Sequence, residues 1–290
     1  MRESALPVIL DGLAEIADRY DGFIIDLWGV IHDGGALYPG AHDALTQLAA
    51  RGRKTVMLSN APRRAEFLVE QMAVLGVERS LFGAVMSSGE AVHRELRARR
   101  DPWFGCLGRH YLLIGAPGDA VLLDGLDFER RETVEEADFL LNTGLAGIDD
   151  TVERHLPLFE RAIRAGLPMI CANPDLVVVQ QGRPFLCAGT LAARYRFMGG
   201  DVVYRGKPDP AIYDDCLALL GISDRCRVLA VGDAFETDVK GARGAGLDSL
   251  LIMGGIHADT LQDADGARIV AAAQSYGGFV PTMAAPAFCW

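Results

Sequence analysis

No two of the six cysteines (Cys106, Cys171, Cys187, Cys216, Cys226, Cys289) stand as a CxxC pair, and none falls in a Cys/His metal-binding pattern. That excludes a disulfide framework and a zinc module, and it predicts reduced, mostly buried thiols of a cytoplasmic protein. No apolar run is long enough to span a bilayer, and Met1-Arg2-Glu3 leads into an amphipathic segment rather than the apolar core of a signal peptide. Positive charge is also short. Twenty-eight Lys and Arg face 39 Asp and Glu, a formal charge of −11, which argues against nucleic acid or an anionic membrane as the main partner. Walker A, HExxH and GxSxG motifs, internal repeats and low-complexity segments are all missing. Gly241 to Gly246 lacks the GxGxxG spacing and reads as a helix end.

What is present is a globular composition, half apolar, in 290 residues, enough for one large or two ordinary domains. Phe23 to Leu27 is a short apolar strand interrupted by one carboxylate, Asp26, with Gly29 and Gly34-Gly35 just beyond it. An acid is costly to bury within a strand, but at its carboxyl end it sits where open α/β sheets place their ligands. Lys54 to Leu58, then Ser59-Asn60, and Phe82 to Met86, then Ser87-Ser88-Gly89, repeat the alternation of strand, turn and helix. This is the pattern of βαβ units and a parallel sheet, an α/β fold. Val8 to Tyr20 has helical spacing, and the segment beyond about 260 is weakly patterned. Phe288-Cys289-Trp290 is an apolar end expected to pack on the body or on a partner subunit.

From about Asp101 a second set of alternating elements begins. It includes Tyr111–Ile114, Phe139–Leu141, the amphipathic helix Thr151–Ala165, Met169–Ala172 and Val177–Val179 with a turn at Gly182. The first pattern then resumes with a helix at Leu191–Met198 and a strand at Val202–Tyr204. The reading is therefore a core at 1–89 and 187–290 interrupted by a domain at 90–186.

Four strand ends carry chemistry. They are Asp26; Ser59-Asn60, a hydroxyl and amides suited to an anion; Lys207, held between Gly206 and Pro208; and Asp233 with Asp238 after the strand ending at Val231-Gly232. Each has an innocent reading as a cap or a solvated lysine. Together they suit phosphoryl transfer. A carboxylate can attack phosphorus once a hard cation offsets the charge, and oxygen-only ligands select Mg²⁺.

In these four segments the chain resembles the haloacid dehalogenase superfamily, which has a Rossmann-like parallel-sheet core. The interrupting domain is similar in size and place to the α/β C2-type cap of its class IIA, sugar-phosphatase-like branch. Cys171-Ala172-Asn173-Pro174-Asp175 and Gly254-Gly255-Ile256-His257 fit that branch as well. The resemblance covers roughly residues 20 to 260. It implies an aspartyl-phosphate on Asp26, with Ser59, Asn60 and Lys207 taking phosphate oxygens. It also implies Mg²⁺ on Asp26, Asp233, Asp238 and the main-chain oxygen of Trp28, with Asn173 and Asp175 as cap or substrate residues. A small phosphorylated metabolite as substrate and a homodimer are further implications. The chain departs from the family at Trp28, where its phosphatases carry a second Asp that protonates the leaving group and activates water. Three expectations follow. The first is a phosphatase whose acid is replaced, by His32, Asp33 or Asp175, or made dispensable by a good leaving group. The second is a metal-independent dehalogenase-like hydrolase. The third is a phospho-ligand-binding protein without turnover.

Overall fold

The computed structural model describes residues 6–147, 149–180 and 183–290, so the turn expected at Gly182 lies outside the described residues. The chain divides into two compact units. The first comprises residues 1–59, 66–86 and 207–290, and the second 60–65 and 87–206. Among the described residues no helix is long and apolar enough to cross a membrane.

The first unit is built on a seven-stranded sheet in the order Val8–Ile9, Met283–Ala285, Asp248–Ile252, Val228–Gly232, Gly22–Asp26, Lys54–Ser59, Ala84–Ser87. Pairing is parallel from Val8–Ile9 through to Lys54–Ser59. Strands Gly22–Asp26 and Val228–Gly232 are buried along their whole length, as expected for a parallel sheet covered on both faces. After Gly22–Asp26 the chain continues to the strand on one side; after Val228–Gly232 it continues to the strand on the other. The switch point of the sheet, where open α/β folds bind their ligands, lies between these two neighbours. The strand ends bearing Asp26 and Asp233 flank it.

The second unit holds a five-stranded parallel sheet, Val202–Tyr204, Met169–Cys171, Phe139–Asn142, His110–Ile114, Glu129–Arg131, and an antiparallel hairpin, Val177–Gln180 with Arg183–Leu186. Alternate strand residues feed opposite faces. Leu140 and Met169 pack with Phe159, Leu191 and Tyr195 on one side. Phe139, Leu141 and Ile170 pack with Val92, Leu96 and Phe104 on the other. Strand Val202–Tyr204 pairs with Met169–Cys171, so it and the helix Ala188–Phe197 belong to this unit and not to a resumed core. The boundary after the interrupting domain falls at Gly206 rather than 186.

Two further readings are corrected. Val8–Tyr20 is not one helix: Val8–Ile9 is an edge strand, followed by short 3₁₀ turns at Leu13–Glu15 and Ala17–Arg19. The weakly patterned tail carries the helix Gly266–Ser275 and the strand Met283–Ala285, which lies inside the sheet. Phe288 is buried and the Cys289 carbonyl accepts the Leu13 N–H at 2.9 Å, so the apolar end packs on its own unit.

Within the second unit, helix Ser88–Ala98 is capped by Ser87, whose hydroxyl oxygen accepts the Glu90 N–H at 2.9 Å. The Glu90 carboxylate accepts from Arg64 Nε at 2.8 Å, the Ala65 N–H at 3.3 Å and Arg94 Nε at 3.2 Å. Burial alone would raise its pKa, but these donors outweigh it and hold the carboxyl below its usual value. A carboxyl whose folded pKa is depressed contributes stability above its unfolded pKa, and that stability is lost as pH falls through the folded one. Glu90→Gln should therefore lower the unfolding midpoint at pH 7, and the gap to wild type should close below about pH 4. Denaturant titrations at the two pH values would check this; a gap that persists in acid contradicts the assignment.

Candidate functional site

At the carboxyl end of the core sheet, three buried carboxylates converge. Asp26, Asp233 and Asp238 each offer an oxygen, all within 4.8 Å of one another. Lys207 is buried against them, its Nζ 2.8 Å from Asp26 Oδ1 and 2.8 Å from Asp238 Oδ1. Ser59, one residue beyond the Asp26–Leu58 register pair, is buried at the end of the adjacent strand. Residues far apart in the chain are brought together because three strands, those before Leu27, Asn60 and Asp233, end at the same edge of the sheet and the loop carrying Lys207 meets them there.

Each position has a local cause. Asp26 closes its strand and takes the Leu27 N–H on Oδ1 at 2.8 Å. The chain then turns at Gly29, whose φ of +81° is left-handed, and a Cβ there would lie 1.9 Å from Asp233 Oδ2. Asp233 Oδ2 also accepts the Ile256 N–H at 2.7 Å, and Gly255 has no room for a Cβ against the same carboxylate. Asp238 is presented by a π-helical turn, Phe235–Val239, in which the Val239 N–H reaches back to the Ala234 carbonyl. Its Oδ2 accepts from the Ala234 N–H at 3.2 Å and from the Thr237 hydroxyl at 3.3 Å, leaving Oδ1 toward Lys207. The Tyr213 hydroxyl, fully buried, donates to the Asp238 carbonyl at 3.3 Å. Lys207 precedes Pro208 in a loop that ends where Asp209 caps the helix Pro210–Leu220 through the Ala211 N–H.

The electrostatics follow from burial. Desolvation pushes the Asp26 carboxyl well above the usual range, the Lys207 ammonium pulls it back, and Asp238 and Asp233 add to the rise. Three buried carboxylates against one ammonium leave uncompensated negative charge, which a divalent cation with oxygen ligands would neutralise. The donor set therefore fits Mg²⁺. Gly29→Ala adds a methyl where Asp233 Oδ2 sits and strains the turn by roughly 1–3 kcal/mol. It should displace Asp233 and weaken Mg²⁺ binding at least ~10-fold, read by calorimetric titration of the folded variant.

Trp28 is half-buried, its indole 5.4 Å from the His32 ring at 76° and packed over Gly34, where a Cβ would lie 2.4 Å from the ring. His32 is buried in the same turn. Its Nδ1 accepts the Gly34 N–H at 3.0 Å, and burial lowers its pKa. That is the bonding of a neutral histidine that shapes its turn. Asp33 caps the turn, accepting the N–H groups of Gly35 and Ala36.

The remaining candidates belong to the second unit. Asn60 does not open a helix, since the next one starts at Ala65. Its side chain accepts from the Ser88 hydroxyl at 3.1 Å and donates to Asp175 Oδ1 at 2.8 Å. The Asp175 N–H in turn donates to Asn173 Oδ1 at 3.0 Å. Asn60, Asn173 and Asp175 thus form one hydrogen-bonded group with Ser88. Gly29, Gly255-Ile256 and Ser88 stood out in the sequence only as turn or motif residues and not for these contacts, and Tyr213 was not singled out at all. The glycines after strands were the available signal for the first two.

Comparison with known proteins matches residues 23–129 to the haloacid dehalogenase-like hydrolase family and residues 204–275 to a HAD-hydrolase-like family. A D-glycerol 3-phosphate phosphatase of Mycobacterium tuberculosis is 31% identical over 251 residues, 84% of this chain and 66% of that protein, so the chain spans about two thirds of that relative. A haloacid dehalogenase-like hydrolase from Brucella suis 1330 superimposes with a TM-score of 0.82 at 35% identity, covering 96% of this chain and 99% of that one. A glycerol phosphate phosphatase from Mycobacterium tuberculosis in complex with magnesium gives 0.65 at 26% identity, over 83% and 70%. With this match in sequence and in three dimensions, the chain belongs to the haloacid dehalogenase-like hydrolases, in their capped, class IIA phosphatase branch.

Proposed function

We propose that the protein is a Mg²⁺-dependent phosphohydrolase acting on a small phosphate monoester, such as a sugar or polyol phosphate, through an aspartyl-phosphate on Asp26. The observation that carries the reading is the meeting of Asp26, Asp233 and Asp238 with Lys207 at the sheet's switch point. The names of the relatives support the substrate class.

An Asp26 carboxylate oxygen attacks phosphorus as the ester P–O bond breaks, leaving an acyl-phosphate and an alkoxide that must gain a proton. Water then attacks the phosphorus as the bond between phosphorus and the Asp26 oxygen breaks, so inorganic phosphate leaves, the Asp26 carboxylate is regenerated, and the water's proton passes to solvent or stays on the phosphate. Lys207 and the Ser59 hydroxyl take phosphoryl oxygens, and Lys207 also holds Asp26 and Asp238 in place. Asp26, Asp233, Asp238 and the Trp28 carbonyl would hold Mg²⁺, which would supply charge neutralisation. Trp28 can neither donate the alkoxide's proton nor activate water, so these steps fall to solvent or favour substrates with a good leaving group.

Trp28 also supports a second reading, a phospho-ligand-binding protein with little turnover. The dehalogenase alternative is the weakest, since a metal-independent reaction gives three converging carboxylates no purpose. Phosphate release from a panel of monoesters, with Mg²⁺ and after chelation, tests all three. Metal-dependent release supports the phosphatase. No release from wild type, but release from Trp28→Asp, favours the binding protein. Halide release from 2-haloacids in chelator would overturn the phosphatase.

A further inference from the structure

The loop Gly254–His257 bears directly on the carboxylates, because its Ile256 N–H holds Asp233 Oδ2 and its Gly255 lies against the same group. A cavity of about 360 Å³, lined by Met253, Gly254, Ala258, Leu261 and Pro286 among others, adjoins the loop. The Met253 and Gly254 N–H groups are pinned to the carbonyls of Ala285 and Pro286 at 2.9 and 3.0 Å, but these bonds stop short of Ile256.

At the far end of the loop the His257 carbonyl accepts the Thr260 and Leu261 N–H groups at 3.0 and 2.9 Å, and the His257 side chain joins a cluster of three rings. The His257 imidazole lies 4.5 Å from the Tyr276 ring and 4.9 Å from Phe235, centroid to centroid. Phe235 and Tyr276 lie 5.5 Å apart and nearly parallel, at 12°. Phe235 is fully buried and begins the π-helical turn that presents Asp238. Tyr276 follows the helix Gly266–Ser275 and packs on the same apolar cluster. One imidazole therefore touches the turn that carries Asp238 and belongs to the loop that holds Asp233.

We propose that His257 is a positioning residue for the carboxylate cluster, its ring packed against both Phe235 and Tyr276 so that the loop holding Asp233 and the turn presenting Asp238 move as one. This rests on the reading of Asp26, Asp233 and Asp238 as a Mg²⁺ site. The role is one of packing, so it requires a flat ring and not a proton. A group that orients metal ligands typically affects metal affinity by 10- to 100-fold.

The test is Mg²⁺ alone titrated into the folded protein by calorimetry, with the Mg²⁺-induced shift in melting temperature as a second readout. His257→Ala should weaken the Mg²⁺ Kd by roughly 10-fold or more, while His257→Phe stays within about 3-fold of wild type. Tyr276→Leu, which removes one of the two rings that His257 packs against and leaves the loop's own sequence unchanged, should weaken it too. Should the alanine variant fail to fold, His257→Gln serves in its place, a flat but non-aromatic side chain expected to bind Mg²⁺ less well than His257→Phe. Equal affinity in wild type and the alanine or glutamine variant overturns the positioning role, as does a phenylalanine variant as weak as either. A wild type that binds no Mg²⁺ overturns the metal reading itself, which separates the two failures.

Discussion

Asp26→Asn is expected to abolish phosphate release, with kcat falling roughly 10³-fold or more, while the protein stays folded and closed around Lys207. The amide is nearly isosteric and its carbonyl oxygen can still face the Lys207 ammonium, which now stands 2.8 Å from the carboxylate. What disappears is the nucleophile. The substitution also removes a negative charge from a cluster that has one ammonium for three acids, so thermal stability in the absence of metal should hold or rise. A melting curve in chelator beside a burst-phase phosphate assay in Mg²⁺ checks both parts. Residual turnover within about 10-fold of wild type would remove Asp26 from the role of nucleophile.

Trp28→Asp has the opposite expected sign. It places a carboxyl two residues past Asp26, where the resemblance to the branch's phosphatases implies an acid and base. Turnover of poor leaving groups should rise by roughly 10²- to 10⁴-fold. Substrates such as aryl phosphates, whose leaving group needs no proton, should gain far less. The ratio of rates on an alkyl and an aryl phosphate is thus the informative measurement. The indole packs over Gly34 and edge-on to His32, so its removal costs stability, roughly 1–3 kcal/mol. A variant that folds and shows no rise on the alkyl ester would mean that the acid is supplied elsewhere or that the turn fails to present the new carboxyl.

The same turn shows why parts of the site were legible in the sequence. Asp26 ends an apolar strand three residues before Gly29, and Asp233 directly follows an apolar strand that ends in Gly232, and an acid in that setting has few structural uses. Lys207 stood out because glycine and proline fix its loop. The holding groups were hidden, because Ile256 acts through a main-chain amide and Tyr213 through a hydroxyl aimed at a carbonyl, and residue type carries neither signal. The fold class was readable from the alternation of strands and helices. Which sheet a strand joins was not. Val202–Tyr204 has the same apolar pattern whether it follows Met169–Cys171 in one sheet or Gly22–Asp26 in another, and only long-range pairing decides. Val8–Tyr20 failed for a related reason: its apolar spacing is helical, yet Val8–Ile9 finds a partner in Met283–Ala284, at the other end of the chain.

That pairing has a consequence for how the chain is made. Apart from the short segment 60–65, the second unit is continuous, so a ribosome delivers it whole before residue 207 emerges. The first unit is not. Gly22–Asp26 is among the earliest strands synthesised, yet its neighbour Val228–Gly232 arrives only after the entire second unit, and Met283–Ala285 arrives later still. Until then a mostly apolar strand ending in Asp26 waits with one edge open, a state prone to wrong pairing and dependent on slow, long-range closure. Stalling translation after residue 206 should thus yield a protease-resistant second unit attached to an unfolded first one.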